Sequence, residues 1–165
     1  MDEYILTSID YAVLIQRAAY NLHNTFLNMT QIQKTLFYVY GVCLADFGTP
    51  IFEKDKPKAW PFGPVFPRVY KKVSTDRIEA LHPDAIEQFR HKEDVVNVVL
   101  KSTELLHGMT GSQLSEWSHM VGSPWYDTLF VNVPDGSLQN KYDTPIPDET
   151  IKAYFSIPSN REISR

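Results

Sequence analysis

Twelve residues, Ala59 to Tyr70, hold three prolines, one glycine and four aromatics. They read Ala-Trp-Pro-Phe-Gly-Pro-Val-Phe-Pro-Arg-Val-Tyr. Neither a helix nor an interior strand can run through them, because each proline fixes φ and lacks an N–H donor. The stretch is also too apolar for a solvated loop. It must close over its own core or present a stiff, shaped surface to a partner. Gly63 within it supplies a positive φ or a close backbone approach. The bond before Pro64 is trans by default, with cis as the alternative.

The rest of the chain predicts helices. The first begins near Ser8, with Ala12, Ile15, Ala18, Ala19, Leu22 and Phe26 on one apolar face and a break from Asn24 to Asn28. Thr30 and Gln33 have the spacing of a capping box. The helix they start, over about 30–47, is apolar around more than half its circumference and is the expected buried centre of the domain. Gly48 suits the left-handed position after its end, and Pro50 blocks its continuation. Ile51-Phe52 and Ala59-Trp60 flank a charged tip and predict a small β ribbon or hairpin.

Pro67 to Val73 reads as a helix with proline in its first turn, and Ser74 to Leu81 as loop. Further helices follow from His82 or Pro83, with Ile86 and Phe89 inward, and from Glu93 to Leu106. A second capping box, Thr110 with Gln113, launches Leu114 to Met120, which Gly122 and Pro124 end. Val131 to Val133 is a possible strand, with a turn at Pro134 to Gly136. Asp148 then caps a last helix holding Ile151, Tyr154 and Phe155. The fold class expected is mainly α: one compact helical domain over 1–165, with its core at about 8–155 and a loosely held tail at 156–165.

Composition narrows function by exclusion. A formal net charge of −4 argues against a nucleic-acid surface, where a basic stripe is expected. The acidic N-terminus is unlike a signal peptide, and no stretch approaches the roughly 20 apolar residues of a membrane span, so a cytoplasmic protein is expected. Cys43 is the only cysteine and sits in an apolar run, as a buried, inert thiol would. No phosphate loop or dinucleotide fingerprint occurs. His82, His91, His107 and His119 show no metal-ligand spacing, and the single Glu116-x-x-His119 pair is half of what a carboxylate-bridged metal site needs. No metal and no cofactor is expected. An enzyme reading would rest on His119 with Glu116 or Ser115 in a pocket beside Trp60.

Four elements in register resemble one family. Ile32-Gln33-Lys34-Thr35-Leu36-Phe37-Tyr38, then Gly41, then Gly48-Thr49-Pro50-Ile51-Phe52 resembles its pattern L-x-K-L-L-Y-Y … G-x-P-L-F. Ala59 to Pro67, ending at Tyr70, is similar to its centre A-W-x-x-G-P-V-x-P-x-x-Y. Leu114 to His119 with Gly122-Ser123-Pro124-Trp125 follows L-S-x-x-T-H … G-x-P-W, and Ile151 to Phe155 follows I-x-x-Y-F. The family is the Panacea antitoxin domain, also called SocA-like, of bacteria and their phages. The resemblance covers roughly Ser8 to Phe155, departs at Thr35 and Ser118, and is slight from Ser74 to Gly108.

The resemblance implies a mostly helical protein that neutralises a cognate toxin by direct contact. In one branch the domain acts as an adaptor that hands the toxin to a protease. An interaction protein blocking another phage or host factor would share the fold and differ only in partner. The partner-binding residues expected are Trp60, Phe62, Pro64, Val65, Tyr70, His119 and Trp125, since large aromatics beside prolines give contact area at low entropic cost. The competing reading gives the same knot, packed under Trp125 and capped by His119, a purely structural role. Lys34, Tyr38, Gly41, Gly48, Pro50, Gly63, Pro67, Gly122 and Pro124 are the positions expected to build the fold.

Overall fold

Asn28, not Thr30, starts the helix on which the other elements rest. Its side chain accepts from the Gln31 N–H at 2.9 Å, while Gln31 Oε1 accepts from the Asn28 N–H at 2.8 Å. This is the reciprocal cap expected two residues later. Both spacings obey the same rule, but Gln33 is drawn off by the main chain of Phe66. The helix so begun, α2 (Met29–Phe47), buries every residue from Ile32 to Leu44, Lys34 included. Gly48 caps it with φ 81°. The computed structural model describes residues 3–131 and 143–163.

Around α2 pack α1 (Ser8–His23), α5 (Glu93–Leu106), α6 (Gly111–Ser118) and α8 (Asp148–Phe155). The chain is mainly α, and α3 (Pro67–Lys72), α4 (Pro83–Arg90) and the short α7 (Pro124–Tyr126) complete the helices so far described. α5 keeps helical form through its run of valines, because its apolar period spans more than ten residues and buries Val99 and Leu106. α1 starts where expected but ends at His23, turned off by Asn24 at φ 51°. Leu22 and Phe26 are exposed, as is Ile86, all three expected on inward faces; Phe47, the last residue of α2, is exposed too.

The helices meet most closely where α8 crosses α2. A Cβ on Gly41 would fall 2.1 Å from Phe155 Cδ2, so only glycine lets that ring sit against the helix backbone. Phe155 is fully buried and meets Phe37 and Tyr38 edge-on, with centroids 5.9 and 5.7 Å away. Asp148 opens α8 without capping it. Its carboxylate instead accepts from Tyr40 Oη at 2.6 Å and from Lys56 Nζ at 2.8 Å. Tyr38 Oη donates to the Arg161 carbonyl at 2.8 Å, and Arg161 pairs with Asp46 at 2.7 Å. Arg161 is thereby bonded to both Tyr38 and Asp46 of α2.

The β ribbon lies one step downstream of its expected place. β1 (Lys58–Trp60) pairs antiparallel with β2 (Gly63–Val65) and, on its other edge, with β3 (Thr144–Pro145). The order is β2-β1-β3, which puts Pro64 on an edge strand where its missing N–H breaks no ladder. Ala59 faces Pro64 and Trp60 faces Gly63, so Pro61-Phe62 is the two-residue turn. Ile51-Phe52 forms no strand; Phe52 is buried among the rings of Tyr11, Tyr40 and Phe66. Among the described residues no peptide bond is cis. The strand expected to begin at Val131 and the turn after it lie outside the described residues, except Val131 itself, which ends a π-helical turn, Asp127–Val131. Among the described residues no helix is long and apolar enough to cross a membrane.

Candidate partner-binding site

The hairpin Lys58–Val65 bonds through its own side chains to Asp143, from Lys58 and Trp60, while the surrounding helices grip its main chain. Trp125 Nε1 donates to the Trp60 carbonyl at 2.7 Å. His119 Nε2 lies 2.9 Å from the Pro61 carbonyl, and Ser115 Oγ donates to that of Phe62 at 3.4 Å. Lys34 Nζ donates to the Pro64 carbonyl at 3.1 Å. Gln33 then takes both main-chain groups of Phe66, accepting its N–H at 2.8 Å and donating to its carbonyl at 3.1 Å. Of the seven carbonyls from Trp60 to Phe66, all but those of Gly63 and Val65 are met from beneath by side chains of α2, Ser115 of α6, His119 and Trp125.

Gly63 is where this grip is tightest. Its φ is +113°, and a Cβ there would lie 2.5 Å from Ser118 Oγ and 3.2 Å from Lys34 Nζ. Both the left-handed backbone and the close approach exclude a side chain.

A main chain held in this way leaves its side chains free to face outward. Phe62 at the turn is 76% exposed and Tyr70 on α3 is 58% exposed. Trp60 is half-buried beside them; its ring meets Tyr70 at 5.4 Å, near perpendicular, and its Nε1 reaches Asp143 Oδ1 at 3.3 Å. Pro64, Val65 and Trp125 are buried, and His119 is half-buried. Of the seven residues expected to bind a partner, Phe62, Tyr70 and Trp60 present surface, while Trp125, His119, Pro64 and Val65 lie beneath or behind it. Met120 and Val121, next along the chain from His119, are also exposed.

The acid–base arrangement required by an enzyme reading does not assemble. Both ring nitrogens of His119 face main-chain carbonyls, those of Ser115 and Pro61, and its ring stands edge-on to Trp125 at 4.1 Å. Ser115 is occupied with the Phe62 carbonyl, and Glu116 is exposed to solvent. Among the described residues no group of three or more His, Cys, Asp or Glu side chains comes together as a metal site. Burial pushes the Cys43 thiol up to about 12, so it stays protonated and unreactive at neutral pH.

Lys34 has the most unusual environment in this region. It is 2% exposed, and burial lowers its ammonium to about 8. Among the described residues it has no carboxylate partner; the Pro64 carbonyl is its one recorded acceptor. The sequence marks Lys34 as a fold position only. The signal for more was a single cation inside a run, Ile32 to Leu44, that is otherwise apolar or uncharged.

The Trp125–Trp60 bond gives a direct test of the grip. Trp125→Phe removes the indole donor and part of the ring, and is expected to destabilise the protein by about 2 kcal/mol. Urea unfolding followed at the Trp60 indole measures this; an unchanged midpoint would mean the hairpin is held without it.

A family model described as "Antitoxin SocA-like, Panacea domain" matches residues 32–126. Antitoxin SocA of Caulobacter vibrioides (strain NA1000 / CB15N) is 30% identical over 124 residues, which take in 65% of this chain and 61% of the relative. The match therefore spans less than two thirds of that relative's length. No solved structure matches the chain.

Proposed function

The chain belongs to the SocA-like antitoxin family defined by the Panacea domain, and from that membership we propose that it neutralises a cognate toxin by direct contact in the cytoplasm, without catalysis of its own. The observation that carries this reading is the mounting of the hairpin. Its main chain is fixed by side chains from α2, α6, His119 and Trp125, while Phe62 projects from it with half-buried Trp60 and, from α3, Tyr70 alongside. Rigid aromatics give contact area with few rotamers left to freeze on binding. Held in advance, they are suited to act as interface anchors.

The test is co-expression with the product of each neighbouring gene whose expression alone stops growth. The wild-type chain is expected to restore growth against one of them and to co-purify with it. Phe62→Asp is expected to abolish both while leaving the melting temperature within about 2 °C, because surface changes away from structural features are usually near-neutral. Failure of the wild type to rescue growth against any neighbouring product would overturn the reading. Delivery of the toxin to a protease is the finer form of the same activity. It predicts that the chain shortens the toxin's half-life in cells, whereas simple sequestration lengthens it.

A further inference from the structure

Behind the hairpin's exposed aromatics lies a cavity of about 220 Å³, walled by Met29, Lys34, Trp60, Phe62, Val65 and Tyr70. Among the described residues its only charged wall residue is Lys34. An ammonium has three N–H groups, and one of them is spent on the Pro64 carbonyl. Desolvating a cation without an opposite charge is costly. Here the cation stands beside an apolar cavity that opens at two exposed rings. Such a site is preorganised for an anion, since the desolvation of the lysine has already occurred before binding.

Resting on the protein-contact reading above, we propose that this cavity receives an Asp or Glu side chain of the protein partner, its carboxylate pairing with Lys34 while the partner's flanking apolar residues lie against Trp60, Phe62 and Tyr70. The walls favour a side chain over a chain terminus. Capture of a terminal carboxylate uses a nest of main-chain N–H groups, and Pro61 in the turn and Pro64 just after it have none. A polyanion fits poorly, because one recessed cation on a chain of net charge −4 offers it no field. A single acid among apolar residues is what the volume and the charge accommodate.

The probe is a tripeptide, Phe-Glu-Phe, acetylated and amidated at its ends, titrated into the full chain and read at the indole N–H of Trp60 by NMR. Two comparison peptides are Phe-Gln-Phe with the same caps and Phe-Gln-Phe with a free C-terminal carboxylate. The capped Glu peptide is expected to bind at least tenfold more tightly than either, and Lys34→Met to erase that preference. In the wild type, affinity for it is expected to fall toward tenfold per pH unit above about 8, where the free lysine loses its proton. The other ionisable groups on the surrounding elements are Tyr70 with Arg68, Lys71 and Lys72 on α3, Glu116 on α6 and His119 after it, Lys58 in its pair with Asp143, and Tyr38, Tyr40, Cys43 and Asp46 further along α2.

Equal binding of the capped Glu and Gln peptides would overturn the proposal, as would stronger binding of the free-carboxylate peptide or an unaltered preference in Lys34→Met. The peptide comparison and the pH profile use the wild-type chain, so they stand even if the variant folds poorly. Growth rescue separates this idea from the one it rests on. Rescue by a wild type that does not discriminate the peptides removes the acid pocket and keeps the contact reading. Discrimination without rescue does the reverse.

Discussion

Gly41→Ala is expected to destabilise this protein by about 3 kcal/mol, although alanine is the better helix former by about 1 kcal/mol. The sign is decided by Phe155. A Cβ at position 41 would lie 2.1, 2.2 and 2.7 Å from three of its ring atoms, closer than non-bonded carbons approach. The ring cannot swing aside, because it is wedged among Phe37, Tyr38 and Trp117 with no exposed face. So α8 must move off α2, and the Tyr40–Asp148 and Arg161–Asp46 contacts are strained with it. Phe155→Leu alone should also destabilise, by opening a cavity, yet the double variant should be more stable than the sum of the two changes by at least 1 kcal/mol. Chemical unfolding of the four proteins measures this cycle. Gly41→Ala behaving like wild type would mean that the two helices are not in this contact.

That contact shows which parts of the molecule were legible in the sequence. The helices α1, α2, α3, α5 and α6 begin within about two residues of where periodicity and caps put them, because local hydrogen bonding decides helix starts. Gly41 could be marked as special, but its partner 114 positions away could not, since close approach depends on how α8 returns. The misplaced cap has a similar cause. Asn28-x-x-Gln31 and Thr30-x-x-Gln33 are equal in local terms, and only the distant main chain of Phe66 claims Gln33. The hairpin was set one strand too early for the same reason. Apolar Ile51-Phe52 is the obvious mate for Ala59-Trp60, but Phe52 is taken by a buried ring cluster and the tight Pro61-Phe62 turn brings Gly63–Val65 alongside.

The candidate site divides along the same line. That the aromatic knot and Trp125 belong together was readable from two glycine–proline elements in one chain, and the bond from Trp125 to Trp60 joins them. Which residues would face outward was not readable. Trp125 and Phe62 are equally apolar in the sequence, and only the direction of the hairpin buries one and exposes the other. Lys34 was marked only as a position that builds the fold, because nothing local shows that a helical lysine borders a cavity until the hairpin is laid across it.

Lys34→Met should therefore make the free protein more stable at pH 7, by about 2 kcal/mol, and less stable near pH 10.5. In the folded chain the ammonium titrates at about 8, against 10.5 when exposed. Below pH 8 both states are protonated and the full penalty of burying the charge, roughly 3 kcal/mol at 1.36 kcal/mol per pH unit, weighs on the fold. Between 8 and 10.5 the unfolded chain holds more protons than the folded one, so stability attributable to Lys34 rises with pH. Against that gain the variant loses the ammonium donor to the Pro64 carbonyl, about 1 kcal/mol and independent of pH over this range. Wild type alone would not show the effect cleanly. Cys43 and the buried tyrosines have values raised by burial, which favours unfolding above about pH 9. Those groups are common to both proteins and cancel in the difference. Urea midpoints of the pair from pH 7 to 10.5 should cross, the variant ahead at first and behind at the end. A variant that is weaker at pH 7, or a difference flat across the range, would show that Lys34 is neutralised by something other than the solvent it lacks. A crossing would mean that this fold keeps a destabilising charge under its aromatic hairpin, a position that a purely structural core residue would not hold.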